Sequence, residues 1–306
     1  YHALPPLTRK SDGLPVGAVS GFVNMVYKYV EDNKGPEAPT HVAVIFDKGS
    51  HTFRNDIYDK YKANREAMPE DLRPQIPLTR EATRAFNIAC IELEGFEADD
   101  IIATLSRQAR EAGGRVTIIS SDKDMMQLVG GGVEMLDAMK NKRIGVEEVE
   151  EKFGVRPDRV IDVQSLAGDS VDNIPGAPGI GIKTAALLIN EFGDLDSLLA
   201  RAEEIKQPKR RQTLIDFADQ IRLSRQLVTL DQGMTLDFTL DSLEVRDPDP
   251  EALLKFLADM EFRTITRRVS EMLGVEAPVI EDKAPEPTET DAPAAVPFSA
   301  DGYEKV

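Results

Sequence analysis

Apolar residues along the first half of the chain show two kinds of spacing. Short continuous runs, typical of buried strands, occur at Val42–Phe46, Val116–Ile119 and Val133–Leu136. Apolar residues at helical spacing predict helices over 16–31, about 79–91 and 99–112. Strands that alternate with helices are typical of a parallel sheet flanked by helices, so the predicted fold class is α/β.

From Gly145 onward the apolar spacing is helical. The predicted helices cover Val160–Leu166, Lys183–Phe192, about 207–223 and about 251–273. The first two are joined by the glycine-rich loop GAPGIGIK, which would expose backbone N–H groups at a helix start and so suit a DNA phosphate. A plain glycine turn is the alternative. The loop is not a P-loop, because Ile182 separates Gly181 from Lys183 and no apolar strand precedes it.

Composition changes after Val275, where Pro, Ala, Glu and Thr predominate. Such a segment has little apolar surface to bury, so residues 275–297 are predicted to be a disordered linker. The more apolar FSADGYEKV at 298–306 is predicted to begin a further domain. The folded part is predicted to comprise an α/β core at 1–144 and a helical subdomain at 145–274.

The net charge of −17 over 306 residues argues, by itself, against a protein that simply wraps nucleic acid. The acids are unevenly distributed, however, since the segment from Glu276 to Val306 has eight acids and only two lysines. Further acids cluster where bound cations would offset them. Net charge is therefore a poor guide to the partners of this chain.

Cysteine and histidine content restricts the possible chemistry. Cys90 is the only cysteine, so no intrachain disulfide can form and a reducing compartment is expected. The three histidines lack the spacing of a zinc site. No apolar stretch reaches the roughly 18 residues of a membrane span, and we expect no signal peptide and no membrane partner.

Four short acidic motifs, in IFD, EGFEADD, SSDKD and GDSVDN, contain the candidate metal ligands. These are Asp47, Glu97, Asp99, Asp100, Asp122, Asp124, Asp169 and Asp172. Each acid taken alone could cap a turn or a helix. Two of the motifs, however, follow predicted strands, where α/β sheets bind ligands. Eight acids in one place would repel each other unless hard cations such as Mg²⁺ or Mn²⁺ shared the space. We therefore predict a two-cation centre for phosphodiester chemistry.

Basic and aromatic residues are interleaved between Arg54 and Arg65, with Tyr61 and Lys62 among them. Cations that bind phosphates and rings that stack on bases suit single-stranded nucleic acid, and a solvated surface helix is the alternative. The run KQPKRR at 206–211 is either a second phosphate contact or a charged loop.

Together, these motifs resemble the 5′-nuclease family found at the amino end of bacterial DNA polymerase I, which includes the flap endonucleases. The resemblance rests on IFD, TFRNDIYDKYKANR, EGFEADD, SSDKD, GDSVDNIPGAPGIGIKTA and the late MEF, and runs from Tyr1 to about Gly274. It implies a PIN-like parallel sheet, a helical arch at about 50–80 and a C-terminal helix-hairpin-helix. It also implies removal of 5′ flaps and RNA primers with two Mg²⁺ or Mn²⁺ ions, in replication and repair.

The resemblance also assigns roles to residues. Glu97, Asp99, Asp100 and Asp122, with Asp47 beside them, would form the tighter metal site, and Asp124, Asp169 and Asp172 the second. Catalytic cations at the base of the arch would be Arg54, Lys62 and Arg65. DNA contacts are expected from Tyr61, Gly176, Gly179, Gly181, Lys183 and Thr184, with K⁺ bound at the hairpin.

The expected partners are flapped, nicked or branched DNA, primer junctions and covalently linked polymerase domains. The expected state is a monomer in the bacterial cytoplasm, at the nucleoid. One departure from the family pattern is an amino-terminal strand ending in Val-Asp-Gly, which is absent before Tyr1. We therefore expect a fragment with reduced stability. The alternatives are a module that binds flap DNA without cutting it and a small PIN-type ribonuclease, against which the hairpin and the arch argue.

Overall fold

The computed structural model describes residues 6–280, so most of the predicted linker and all of 298–306 lie outside the described residues. Its helices and strands are α1 (Gly17–Asp32), β1 (Ala43–Ile45), α2 (Phe53–Ile57), α3 (Gln75–Ala85), β2 (Ala89–Ile91), α4 (Ala98–Glu111), β3 (Val116–Ile119), β4 (Val133–Asp137), β5 (Lys142–Ile144), α5 (Val146–Phe153), α6 (Val160–Ala167), α7 (Ile182–Phe192), α8 (Leu195–Ala200), α9 (Pro208–Asp216), α10 (Ala218–Val228), α11 (Pro250–Asp259) and α12 (Arg263–Leu273). Short 3₁₀ helices cover Lys123–Leu128, Pro157–Arg159, Ala202–Glu204 and Leu240–Leu243. Between residues 6 and 280, none of these helices has the length and hydropathy needed to cross a bilayer.

Two compact units make up the chain. The first contains the described parts of 1–32, 69–82 and 249–306, and the second contains 33–68 and 83–248. The predicted boundary at residue 144 stays a prediction. Within the predicted arch, helix covers Phe53–Ile57 and the start of α3, and turns predominate from 59 to 74.

In the first unit, α1 buries the apolar face that its sequence predicted, with Val19, Val23 and Val26 inside. The buried side chain of Gln75 caps this helix, because its Oε1 accepts hydrogen bonds from the N–H groups of Ala18 and Val19.

The predicted helix at about 251–273 is two helices, α11 and α12, which pack against each other. Glu261 lies between them with a φ of 59°. This left-handed conformation cannot continue a right-handed helix, and it turns the chain at this point.

The second unit contains short strands in two sheets. In the first, β1 pairs in parallel with β2. In the second, β3 pairs in parallel with β4, and β5 adds to β4 in the antiparallel direction. Helix α4 contacts both β1 and β3. The predicted α/β class with parallel pairing and flanking helices is therefore confirmed.

The apolar pattern did not predict β2 and β5. The helix predicted over about 79–91 was wrong at its end, because α3 stops at Ala85. Asn87 then adopts a φ of 56°, a conformation that Asn tolerates better than most residues. The N–H of Ile88 donates to the carbonyl of Thr83, which closes the helix before β2 begins.

Helices dominate the rest of the second unit. α6 packs against α7 and α10, and the segment predicted as one helix at about 207–223 is broken near Phe217 into α9 and α10. Fully buried residues of these helices, such as Val163, Leu166 and Ala185, join Met125 and Met135 of the sheet region in one apolar core.

The loop between α6 and α7 closes on itself through two glycines. Gly168 and Gly176 both have positive φ, and a Cβ added at Gly176 would lie 2.4 Å from the Gly168 nitrogen. The N–H of Gly176 donates to Ser224 Oγ on α10 at 3.0 Å. Gly176 is therefore needed for close backbone packing.

We expect Gly176→Ala to destabilise the chain strongly. The added methyl group meets backbone atoms on top of the left-handed strain, so the loss should exceed the ~1–2 kcal/mol of that strain alone. Urea denaturation followed by circular dichroism measures it. Gly179→Ala is the matched control, because Gly179 has a φ of 74° but no atom within 4 Å of an added Cβ. Equal losses in the two variants would contradict the packing role.

Candidate metal centre

The predicted acids lie where strands end and helices begin within the second unit. Asp47 follows β1, Glu97 immediately precedes α4, and Asp122 immediately precedes the 3₁₀ helix after β3. Asp47 Oδ1 accepts a hydrogen bond from the N–H of Ala98 at 2.8 Å, which joins the end of β1 to the start of α4. The acids from two distant motifs therefore meet.

Tyr61 and Lys62 bridge the acids of EGFEADD and GDSVDN. The Tyr61 hydroxyl lies 3.1 Å from Glu97 Oε2 and 3.4 Å from Asp172 Oδ2. Lys62 Nζ lies 2.8 Å from Glu97 Oε1 and 3.7 Å from Asp172 Oδ2. Glu97 and Asp172 thus share the same two partners, as expected if both acids belong to one site.

Asp99 has the clearest electrostatic signature of a functional carboxyl. Burial raises its pKa to about 7, and the negative charges of Asp122, Glu97 and Asp47 add to the effect. These neighbours come from three separate motifs. Such mutual repulsion is what a bound cation would relieve, and carboxylate oxygens are the ligands that hard divalent cations prefer.

Asp124 and Asp169 form the other part of the site. Lys123 Nζ lies 2.5 Å from Asp169 Oδ2, and Gln164 Nε2 donates to Asp124 Oδ1 at 2.5 Å. Burial, followed by repulsion from Asp122, raises the pKa of Asp124 to about 6. Gln164 was not predicted from the sequence, where its one signal is a polar residue on the apolar face of VIDVQSLA.

The structure corrects the roles predicted for Asp100 and Arg54. Asp100 is fully buried, and both of its oxygens are bound by Arg54, at 2.6 Å from Nη1 and 2.7 Å from Nη2. Arg54 also donates to the carbonyls of Leu227 and Thr229 and is only 1% exposed. Neither side chain can reach a cation or DNA without breaking this pair. They join α2, α4 and the end of α10.

Tyr61 was predicted to stack on DNA bases, and the structure corrects this as well. The side chain is 4% exposed and packs against Ile174, Leu227 and Val228. Its ring is therefore part of the core, and its hydroxyl is hydrogen-bonded to Glu97 and Asp172.

Lys62 and Arg65 lie beside the acids on a turn that is bound to the acidic loop. The N–H of Lys62 donates to the Asp172 carbonyl, and Arg65 Nη2 lies 2.6 Å from Asp172 Oδ1. Lys62 has a φ of 56°, uncommon for a residue with a side chain. The side chain of Arg65 is exposed and that of Lys62 is half-buried, so both are open to solvent beside the acids.

The predicted hairpin residues divide into buried and accessible ones. Gly176 is buried against Gly168 and cannot contact DNA, which corrects that prediction. Gly179, Gly181 and Lys183 are exposed, and Thr184 is half-buried. Gly181 immediately precedes α7, so the exposed residues surround the start of that helix.

Between residues 6 and 280, no three acids, histidines or cysteines are arranged closely enough to surround one cation. The basic side chains of Lys62, Arg65 and Lys123 instead neutralise Glu97, Asp172 and Asp169. The acids are neighbours in one network, with cationic side chains between them.

Comparison with known proteins places this geometry in context. Residues 1–154 match the model of the 5′-3′ exonuclease N-terminal resolvase-like domain, and residues 155–251 match that of the 5′-3′ exonuclease C-terminal SAM fold. DNA polymerase I of Rhizobium leguminosarum is 58% identical over 92% of this chain, which spans 28% of that relative. A 5′-3′ exonuclease of Aquifex aeolicus is 34% identical over 89% of this chain and 91% of its own length.

Solved structures show the same fold. T5 5′-exonuclease with bound zinc has a TM-score of 0.63 at 20% identity, covering 84% of this chain and 90% of that one. The catalytic core of Rad2 in complex with a DNA substrate has a TM-score of 0.55 at 16% identity, covering 84% of each chain.

We expect Arg54→Ala to lower the free energy of unfolding by about 3–5 kcal/mol, because it leaves the Asp100 carboxylate buried without its partner. Urea denaturation measures the loss. Arg222→Ala is the control, since Arg222 pairs with Asp219 on the surface and such pairs contribute about 1 kcal/mol or less. If Arg54→Ala cost no more than Arg222→Ala, the structural role of Arg54 would be wrong.

We also expect the free energy of unfolding, measured in EDTA, to depend on pH. The native Asp99 carboxyl keeps its proton up to about pH 7, whereas its reference pKa, expected when unfolded, is 3.8. Between these values the folded state binds more protons, so the free energy of unfolding should fall as pH rises. Asp124 acts in the same direction.

The test is denaturation at pH 5, 6, 7 and 8. Asp99→Asn should make the decline shallower, whereas Asp237→Asn, at an exposed position, should leave the slope of the parent unchanged. A parent chain whose stability rises over this range would contradict the prediction.

Proposed function

The chain belongs to the 5′-3′ exonuclease family, and from this premise we propose that it is a divalent-cation-dependent nuclease acting at 5′ ends and 5′ flaps of branched DNA. One observation carries the proposal: acids from all four motifs lie in one electrostatic network. Beyond the effect of burial, the charges of Asp122, Glu97 and Asp47 raise the pKa of Asp99, and those of Asp122 and Asp169 raise the pKa of Asp124. Glu97 and Asp172 share Tyr61 and Lys62.

We assign the acids to two cations as follows. The residues for one are Asp47, Glu97, Asp99 and Asp122, and those for the other are Asp124, Asp169 and Asp172. Asp100 is left out because Arg54 occupies both of its oxygens. Two bound Mg²⁺ or Mn²⁺ ions supply Lewis-acid stabilisation of the charge that develops on a phosphodiester during hydrolysis.

Lys62 and Arg65 complete the proposed catalytic machinery. Their ion pairs with Glu97 and Asp172 hold them next to the acids, where a phosphate oxygen can replace a carboxylate as partner. Basic side chains fixed at that position stabilise the negative charge of the transition state and orient the strand to be cut.

Duplex DNA is proposed to bind at the hairpin. Gly179, Gly181, Lys183 and Thr184 surround the start of α7, where backbone N–H groups and the helix dipole favour a phosphate. Binding of K⁺ at this hairpin is part of the proposal. Because phosphate contacts are electrostatic, affinity should fall as salt rises.

The chain spans 28–32% of five DNA polymerase I relatives that it matches. Covalent linkage to polymerase domains, primer removal, a monomeric state and a location at the bacterial nucleoid are therefore part of the proposal. Flapped or nicked duplexes and primer junctions are the proposed substrates. T5 5′-exonuclease binds zinc, and the Rad2 catalytic core was solved with a DNA substrate.

The alternative from the sequence, a module that binds flap DNA without cutting it, is not supported by the family match. Family membership favours cleavage, as does the retention of acids in all four motifs. Cleavage of a labelled 5′-flap duplex in Mg²⁺ separates the two. The assay compares the 306-residue chain with a form that also carries an amino-terminal strand ending in Val-Asp-Gly. Binding without cutting by both forms would favour the module.

We expect Asp99→Asn and Asp122→Asn to abolish cleavage and to leave flap binding within about threefold of the parent, because the acids act on the chemistry and the hairpin on affinity. Gel assays measure cleavage and fluorescence anisotropy measures binding. Asp237→Asn is the matched control and should cut at the parental rate. Unchanged rates in the two site variants would refute the cation assignment.

A further inference from the structure

A buried amide in the second unit occupies a position where packing alone favours an apolar side chain. Gln164 lies on α6 and is 3% exposed, near the fully buried Val163 and Leu166. Its Oε1 atom accepts no hydrogen bond from any residue between 6 and 280. A buried oxygen without a partner lowers stability, and an apolar residue would avoid this loss. Packing therefore does not explain why an amide stands at this position.

The nitrogen of the same amide has a partner that does explain it, because Gln164 Nε2 donates to Asp124 Oδ1 at 2.5 Å. The N–H of Asp124 is in turn held by Asp122 Oδ1 at 2.9 Å. An amide N–H only donates, so it holds a carboxylate oxygen in one direction and leaves the second oxygen of Asp124 for another partner.

The residue before Asp124 is also bound to the same region. Lys123 Nζ lies 2.5 Å from Asp169 Oδ2, and Asp169 is the second residue after α6 ends. Two adjacent residues of the 3₁₀ helix are thus attached to α6 and its following loop. Because α6 is the first helix of the hairpin, these contacts connect the acids after β3 to the part of the unit proposed to bind duplex.

We infer that Gln164 is a positioning residue that fixes the direction of the Asp124 carboxylate for cation binding and couples it to the hairpin. The inference rests on the proposed function, in which Asp124 is a cation ligand. Residues that orient a metal ligand typically change metal affinity by about 10–100-fold when they are removed.

The test is Gln164→Met, which removes the N–H donor and keeps an unbranched side chain of similar length. Mn²⁺ binding is measured by electron paramagnetic resonance of the free ion, a readout that needs no turnover. We expect the dissociation constant of the weakened site to rise about tenfold. The Mn²⁺ concentration that gives half-maximal flap cleavage should rise in parallel, with unchanged flap affinity.

Ser165→Ala is the matched control. Ser165 is the next residue on α6, is fully buried, and donates only to the Ile161 carbonyl within the same helix. The Ser165→Ala variant should bind Mn²⁺ with the dissociation constant of the parent. Experiments use the form of the chain that cuts the flap, and circular dichroism verifies that each variant is folded.

The outcomes separate the two proposals. A parent chain that neither binds Mn²⁺ nor cuts would refute the proposed function. A parent that binds Mn²⁺ while Gln164→Met binds it equally well would overturn the inference and leave Gln164 a packing residue. If Gln164→Met does not fold, Gln164→Asn, whose amide is one methylene shorter, carries the same test: weaker Mn²⁺ binding supports the inference and parental binding overturns it.

Discussion

Repulsion between carboxylates is the constraint on which the structure of the second unit depends. Loss of solvation first, and the charges of neighbouring acids second, raise the pKa of half-buried Asp99 to about 7 and that of Asp124 to about 6. The chain offsets this repulsion with Lys62, Arg65 and Lys123, each in an ion pair with one of the acids. A fold that brings these acids together loses stability as pH rises, unless cations bind. Such a cost is typical of a functional arrangement, since a fold selected for stability alone would separate like charges.

Arg54 and Asp100 show how a buried ion pair can support such an arrangement. Asp100 follows Asp99 directly, yet it points into the core, where Arg54 binds both of its oxygens. The same Arg54 donates to the carbonyls of Leu227 and Thr229 at the end of α10. The start of α4, which carries Glu97 and Asp99, is thereby fixed to a distant helix. Truncation of either partner would leave an uncompensated buried charge.

The sequence predicted the α/β class, three of the five strands and the motifs of the site. It could not separate Asp99 from Asp100, because adjacent residues on a helix point in different directions and only the packing shows which one faces the core. The strand β2 was missed because its three residues are too few to show an alternating pattern. The left-handed Asn87, which separates β2 from the preceding helix, does not stand out in the sequence as the end of that helix. Tyr61 was misassigned because an interleaved aromatic residue fits a base stack and a core equally well. Gln164 was missed because its one local signal, a polar residue on an apolar helix face, does not show that its partner Asp124 lies 40 residues away.

The loop after α6 connects the acids to the hairpin, and so it would couple the proposed binding of duplex to the proposed cutting. Its first part carries Asp169 and Asp172, which contact Lys123, Lys62 and Arg65. Gly176, only four residues after Asp172, closes the loop against Gly168 and is bound to Ser224. The exposed hairpin residues Gly179 and Gly181 follow directly. Gly168 and Gly176 pack so closely that neither has room for a side chain. The acidic part of the loop therefore has little freedom to move independently of the hairpin part. A duplex held at the start of α7 would therefore have its backbone at a fixed position relative to the acids, as catalysis by positioning requires.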